Sequence, residues 1–223
     1  KLCPDWKKDK LLDFSLEKSF TQNVIGLDEV GRGPLAGPVI SSAVIFLDTN
    51  INVNYLNLVN DSKKLSKKNK IKVFKLISKL KFLKKIKFSL GKASVTEIDK
   101  FNILEATKLS MKRAILRLNH PPSPLIIDGN IDLNLENYPS NGIIKGDQKS
   151  LSIATASIIA KIHRDRYMQF LSYAYPHYYW SSNAGYGTKK HIEQIYEKGI
   201  TIHHRKSFEP IKSLIHKNDS HCW

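Results

Sequence analysis

The stretch Val24-Ile25-Gly26-Leu27-Asp28-Glu29-Val30-Gly31-Arg32-Gly33-Pro34 decides how the rest of the chain is read. An apolar run of strand character carries two carboxylates at its end and breaks at once into a glycine turn. A second β-rich run follows from Val39-Ile40 to Val44-Ile45-Phe46, and the pair reads as a hairpin with a tight glycine connection. Further on, Val73, Leu76, Ile77, Leu80 and Leu83 recur at helical spacing, whereas Ile86, Phe88 and Leu90 alternate with Lys87 and Ser89 as a strand. Thr96-Glu97-Ile98-Asp99 opens a helix with Ile103, Leu104, Met111, Ala114, Ile115 and Leu118 as its buried stripe, and Pro121-Pro122-Ser123-Pro124 stops it. Short strands at Leu125-Ile126-Ile127 and Ile143-Ile144 lead into Asp128 and Asp147. A helix from Ser150 to about Phe170, an aromatic stretch from Tyr173 to Trp180, the turn Gly185-Tyr186-Gly187 and a helix over 189–198 complete the pattern. Strands alternating with helices predict an α/β sheet covered by helices, with a helical C-terminal portion.

The chain has 223 residues, enough to bury a substantial core in one large domain or in one domain with a small appendage. Its 41% hydrophobic and 25% charged residues exclude wholesale disorder, collagen and coiled coil. The net charge of +16 favours a polyanionic partner, either nucleic acid or an anionic membrane surface. Between Asp61 and Lys92 there are 13 Lys, one Asp and no Arg or Glu, so this stretch alone carries +12. Those lysines fit a phosphate-binding face, and equally the solvated face of a helix. No apolar run approaches the roughly 20 residues of a membrane-spanning helix. The first thirty residues lack the pattern of a secretory leader. Cys3 and Cys222 therefore read as two reduced thiols of a cytoplasmic protein rather than as a disulfide.

Four acids stand where chemistry is done. Asp28 and Glu29 end one apolar strand, Asp128 ends another, and Asp147 precedes a helix N-terminus. Sites in open α/β sheets form beyond strand ends, where loops diverge and side chains converge. Clustered carboxylates there repel unless protonated or neutralised, which points to a hard divalent cation such as Mg²⁺ with oxygen ligands. Singly, each acid also fits a turn former or a helix-dipole partner. The chain has no His-Glu-x-x-His, no Cys-x-x-Cys and no Walker lysine loop, so zinc hydrolysis and nucleoside-triphosphate cleavage lack support. His203-His204 and the group His216, His221 and Cys222 are poor zinc candidates, since adjacent histidines diverge. The glycines of Gly31-Arg32-Gly33 would let backbone N–H groups approach a ligand, or simply make a hairpin turn. Tyr186, between glycines, could stack on a sugar or base, or plug a turn.

Residues 27–39, Leu27-Asp28-Glu29-Val30-Gly31-Arg32-Gly33-Pro34-Leu35-Ala36-Gly37-Pro38-Val39, closely resemble the signature of ribonuclease HII, the bacterial type 2 ribonuclease H. Asp61-Ser62-Lys63-Lys64-Leu65-Ser66, Ile127-Asp128-Gly129-Asn130, Gly146-Asp147-Gln148-Lys149-Ser150, Ala156-Ser157-Ile158-Ile159-Ala160-Lys161, Arg164-Asp165-Arg166, Gly185-Tyr186-Gly187-Thr188 and His203-His204-Arg205-Lys206-Ser207-Phe208 resemble further blocks of that family, in family order. The resemblance implies an RNase H-like fold: a mixed five-stranded sheet flanked by helices, with a C-terminal helical extension. On that basis residues 1–20 form an arm or helix, 21–175 the catalytic domain, and 176–223 the extension packed on it. Endonucleolytic cleavage of RNA in RNA–DNA hybrids is implied, together with cutting at ribonucleotides embedded in duplex DNA, by a monomer. The matching motifs make Asp28, Glu29, Asp128 and Asp147 the metal-binding carboxylates. They also imply that Gly31-Arg32-Gly33 reads the ribose 2′-OH, that Tyr186 stacks on the sugar at the RNA–DNA junction, and that Lys63 and Lys64 hold backbone phosphate. Asp165 is expected to support its helix through Arg164 or Arg166.

Two Mg²⁺ or Mn²⁺ ions about 4 Å apart would activate the water and offset charge on the leaving 3′-oxygen, leaving a 5′-phosphate and a 3′-OH. Two other readings compete. A non-catalytic hybrid-binding module would need no strand-end carboxylates, and all four are present. A junction-resolving nuclease of the same fold would need neither the Gly-Arg-Gly turn nor Tyr186.

Overall fold

A computed structural model describes residues 12–51, 59 and 67–219, with the side chains of 67–70 and 217–219 excepted. Cys3, Lys63, Lys64, His221 and Cys222 lie outside the described residues, as do residues 1–11 of the expected arm.

A short helix, α1 (Ser15–Lys18), precedes β1 (Ile25–Val30) and β2 (Val39–Phe46). Helix α2 (Lys67–Phe82), β3 (Ile86–Ala93) and α3 (Val95–Arg117) follow, then β4 (Leu125–Asp128) and β5 (Ser140–Ile143). The C-terminal half is helical: α4 (Leu151–Ala174), α5 (Trp180–Asn183), α6 (Lys189–Lys198) and α7 (Ile211–Asp219). The five strands form one mixed sheet in the order β3-β2-β1-β4-β5. β2 pairs antiparallel with β1 and β3, and β4 pairs parallel with β1 and β5.

Strand alternation sorts the side chains into two layers. Val44 and Phe46 pack with Leu151, Ile159 and Ile162 of α4 and Val73 and Ile77 of α2. Their neighbours Ala43 and Ile45 join Leu27, Ile127, Met111 and Ile115 on the opposite face, under α3. The face under α4 holds the chemistry. Gly26 lies on it, and a Cβ there would come within 2.5 Å of Ser152, so α4 rides directly on β1. Two residues on, Asp28 faces the same helix.

Three expectations need correction. The β1–β2 connection is not a tight turn but a loop over residues 31–38, whose Pro34 and Pro38 have no N–H to give a ladder. The helix after Ser94 breaks at Asn102 (φ 68°), whose side-chain oxygen accepts from the Leu104 and Glu105 N–H groups at 2.8 and 3.1 Å and so restarts it. The break rotates Leu104 out of the expected buried stripe, to 42% exposure. The last strand ends at Ile143, which leaves Ile144 exposed beyond this edge strand.

Ser94 caps α3 in a reciprocal box with Glu97, which also grips Arg113 at 2.6 Å. That ion pair, with help from Ser94, holds the Glu97 carboxyl down at about 2 from an ordinary 4.5. A depressed folded-state pKa contributes stability that is complete above the unfolded value and disappears as pH falls through the folded one. Glu97→Gln keeps the cap and removes the charge. It should lower stability at pH 7 by ~0.5–1 kcal/mol. The gap to the parent protein should close between pH 4.5 and about 2, as read by chemical denaturation across pH.

Candidate active site

The parallel register pairs Leu27 with Ile127, and one further step sets Asp28 beside Asp128 on adjacent strands. Neighbouring strands run about 4.8 Å apart, so the two carboxylates are held at close range by the sheet itself. Asp28 is buried at 6% exposure. Burial pushes its carboxyl up to about 8; a hydrogen bond from Ser157 on α4 opposes the rise, and the charges of Glu29 and Asp128 add to it. The Glu29 N–H donates to Asp28 Oδ1 at 2.7 Å. Glu29 is raised as well, by burial against the pull of Arg32, with Asp128 adding to the rise. Arg32 reaches Glu29 Oε1 at 3.3 Å, while Glu29 Oε2 is buried with no hydrogen-bond partner.

Asp128 Oδ1 accepts from the Gly146 N–H at 2.7 Å, which pins the turn carrying Asp147 to the end of β4. Asp147 itself is half-buried in the single 3₁₀ turn Gly146–Gln148, just ahead of α4. It is not among the charges that raise Asp28 or Glu29. The structure couples Asp28, Glu29 and Asp128 directly and brings Asp147 to them through its neighbour Gly146, which bonds Asp128. Glu17 of α1 secures this end of α4 by accepting from Ser150 Oγ at 2.7 Å and from the Ser152 N–H at 2.9 Å.

An all-oxygen donor set with a buried, unpartnered carboxylate oxygen and a carboxyl raised to about 8 has the chemistry of a hard-cation site lacking its counter-charge. Among the described residues no three His, Cys, Asp or Glu side chains already surround one ion position, so the arrangement is an electrostatic cluster rather than a finished cage.

The loop after β1 is shaped from beneath by two buried arginines. Arg164 of α4 donates to the carbonyls of Pro38, Ala36 and Ala184 at 3.1, 3.0 and 2.8 Å. Arg205 donates to Gly37 at 3.0 and 2.8 Å, to Arg32 at 2.8 Å, and to Gly31. Gly31 has φ +95°, which a side chain would resist. The second glycine turn docks on the same loop, with Leu35 N–H donating to the Gly185 carbonyl at 2.8 Å. This sets the Tyr186 ring beside Gly33, where its edge carbon would lie 3.6 Å from a Cβ. The ring is 47% exposed, so it does not plug the turn. Asp165 pairs with Lys161 at 2.8 Å, while its charge also favours the Arg164 cation, whose guanidinium is bonded to loop carbonyls. His204 is buried against His191 and does not stand at the surface with His203 as a metal site.

The profile of the ribonuclease HII family matches residues 25–211. The ribonuclease HII of Wolbachia pipientis subsp. Culex pipiens (strain wPip) is 48% identical over 205 residues, covering 92% of this chain and all of that one. This chain belongs to the ribonuclease HII family. Membership makes it a nuclease hydrolase; the family's activity is endonucleolytic cleavage of RNA in RNA–DNA hybrids, and divalent-cation dependence is general to the family. Among solved structures, the crystal structure of the ribonuclease H2 from Pyrococcus horikoshii OT3 superimposes with a TM-score of 0.71 at 24% identity, covering 88% of this chain and 98% of that one. Bst-RNase HIII in complex with Mn²⁺ superimposes with a TM-score of 0.65 at 20% identity, covering 90% and 71%. At those identities the likeness speaks for the RNase H-like fold.

In this ribonuclease HII, motif reading placed Ser157, Arg164 and Arg205 within family blocks but gave none of them a role at the acids or the loop, where Ser157 touches Asp28 and the two arginines hold the loop. An arginine inside a helix rich in Ala and Ile was the available signal for Arg164. Burial lowers the Arg205 guanidinium to about 9 and Arg164 to about 10, so both keep their charge at neutral pH. A lysine at 205 would present one point donor where a planar fork now serves three carbonyls. Arg205→Lys should unfold ~2–4 kcal/mol more easily, since carbonyls bonded to a charge are left unpaired, and should lose most hybrid cleavage. Denaturant titration together with a hybrid-cutting assay would check both effects.

Proposed function

We propose that this ribonuclease HII cuts the RNA strand of hybrids and also cuts on the 5′ side of single ribonucleotides embedded in duplex DNA, leaving a 5′-phosphate and a 3′-OH. The observation that carries this reading is the Tyr186 ring beside Gly33, on a loop that begins two residues after Glu29. A site that measured only hybrid groove shape would need several consecutive ribonucleotides and no such ring beside its glycine loop.

In this reading Asp28, Glu29, Asp128 and Asp147 hold Mg²⁺ or Mn²⁺, two ions during catalysis. Divalent ions held there supply an activated water and offset charge on the leaving 3′-oxygen. The chain's own residues do the rest. Asp28 and Asp128 are fixed by the sheet, by Ser157 and by Gly146, so ligand geometry costs little to assemble. The backbone N–H groups of Gly31-Arg32-Gly33 face the ribose, and a site that bonds a hydroxyl rejects the deoxy analogue because its polar groups are left unpaired. Tyr186 stacks on the neighbouring sugar and sets the junction. Arg32, whose carbonyl is tied down by Arg205, restrains Glu29 through their ion pair. Lys63 and Lys64 contact backbone phosphate, and the other lysines supply sequence-independent affinity. The protein acts as a monomer in the cytoplasm, with residues 21–175 as the catalytic domain and 176–223 as the extension.

Asp128→Asn keeps the acceptor for Gly146 and removes a charged ligand. Hybrid cleavage should fall by at least ~10²-fold, while the fold and hybrid binding survive. Near-normal turnover of this variant at saturating Mg²⁺ would sink the assignment. The substrate reading is tested by a labelled DNA duplex carrying one ribonucleotide, resolved on a sequencing gel with Mg²⁺ or Mn²⁺. One cut on its 5′ side is expected, and none when that residue is deoxy. Tyr186→Ala should depress this reaction more than it depresses duplex binding. An uncut single-ribonucleotide strand beside a well-cut all-RNA hybrid would leave general hybrid degradation only.

A further inference from the structure

Behind the Tyr186 turn, away from the acids, lies a buried chain of polar rings. Trp180 Nε1–H donates to His191 Nε2 at 3.0 Å, and His204 Nε2 lies 3.2 Å from that same nitrogen. His191 Nδ1 is 2.8 Å from the Tyr186 carbonyl oxygen. At the far end, the Thr201 N–H donates to His204 Nδ1 at 2.9 Å. All three rings are essentially inaccessible, and Tyr178 stacks on Trp180 with centroids 5.1 Å apart.

The partners leave one placement of the protons. A backbone N–H only donates, so His204 Nδ1 is bare and its proton sits on Nε2. That proton and the indole N–H both point at His191 Nε2, which must accept and carry none. His191 therefore keeps its proton on Nδ1, aimed at the Tyr186 carbonyl. Protonating either imidazole would set donor against donor, and burial holds both in the neutral form, His204 down to about 3. The Tyr186 carbonyl also accepts from Thr188 N–H at 2.8 Å, but that bond is local to the turn. The His191 bond ties the turn to the interior. The same chain reaches the other wall of the site, because His204 pairs with Ala36 in the glycine loop and adjoins Arg205.

We infer that His191 is a positioning residue for Tyr186: with its tautomer fixed by Trp180 and His204, it anchors the backbone of residue 186 so that the ring stays beside Gly33. This rests on the reading of Tyr186 as the group that sets the junction. A ring allowed to drift by about an ångström would still permit duplex binding but would misplace the reacting phosphate, and such misplacement costs rate rather than affinity.

The test is a double-mutant cycle on the single-ribonucleotide duplex, with kcat and KM measured separately and melting curves recorded for every variant. His191→Leu removes the donor. His191→Asn restores one near the Nδ1 position. His191→Leu should lower kcat about tenfold with KM within about twofold, and His191→Asn should recover most of that loss. In a Tyr186→Ala background the two variants should be equal to each other and to the single mutant, because no ring is left to position. Should His191→Leu fail to fold, His191→Gln, whose amide oxygen can accept at the far ring position while the Nδ1 donor is lost, takes its place in the cycle. Equal losses with and without Tyr186, or no loss with Tyr186 present, overturn the proposal and leave the Tyr186 reading intact. Unimpaired junction cutting by Tyr186→Ala alone removes that reading and this inference with it.

Discussion

Arg205 reaches from the segment before α7 into the loop after β1 and gives its whole guanidinium to the carbonyls of Gly31, Arg32 and Gly37. Arg164 does the same from α4 to Pro38, Ala36 and Ala184. Neither has a carboxylate partner in these contacts, so the two buried cations are solvated chiefly by peptide dipoles, with Asp165 and Asp99 attracting them from farther off and the Phe208 ring 4.9 Å from Arg205. Such an arrangement is tolerable only if nearly every donor finds an acceptor. It follows that the loop has little conformational choice, since moving any of these carbonyls would strand a buried charge. The positive φ at Gly31, the docking of Gly185 and the seat of Tyr186 all hang on that demand.

The electrostatics of the site run against those of the whole molecule. In a chain of net charge +16, the proton affinities of Asp28 and Glu29 are raised by burial and by neighbouring carboxylates. The sheet enforces the closeness of Asp28 and Asp128, and Arg32 offers its cation to Glu29 rather than to either of them. A cation held among these acids would relieve that tension, and the net positive charge of the chain would favour an approaching phosphate backbone.

Much of this was legible beforehand, for physical reasons. A strand-end carboxylate pair before a glycine turn fits few purely structural roles, and α6 spans 189–198 as its pattern predicted, with Thr188 capping its start and Gly199 its end. What stayed hidden depends on contacts between residues distant in the chain. An arginine reads as a surface cation until its burial is seen, so Arg164 was read only as a partner for Asp165 and Arg205 only as part of a family block. His203-His204 read as a poor zinc candidate because adjacent histidines diverge, but that reading gave no partner for His204, which is His191, 13 residues away. Asn102 looked like an ordinary helical residue, although Asn is among the residues that tolerate a left-handed backbone and cap the next helical segment. The β1–β2 connection looked tight because glycines suggest tight turns. Its real length is set by arginines far along the sequence.

That grip from a distant segment bears on how the enzyme comes into being. The acids of β1 and β4 are complete once residue 128 has been made, and Asp147 comes soon after. The loop that would aim them at a ribose is shaped only when Arg205 arrives. A growing chain therefore holds its carboxylates well before it has a shaped site to use them, and a nuclease emerging among nucleic acids gains that shape only after Arg205 has been added.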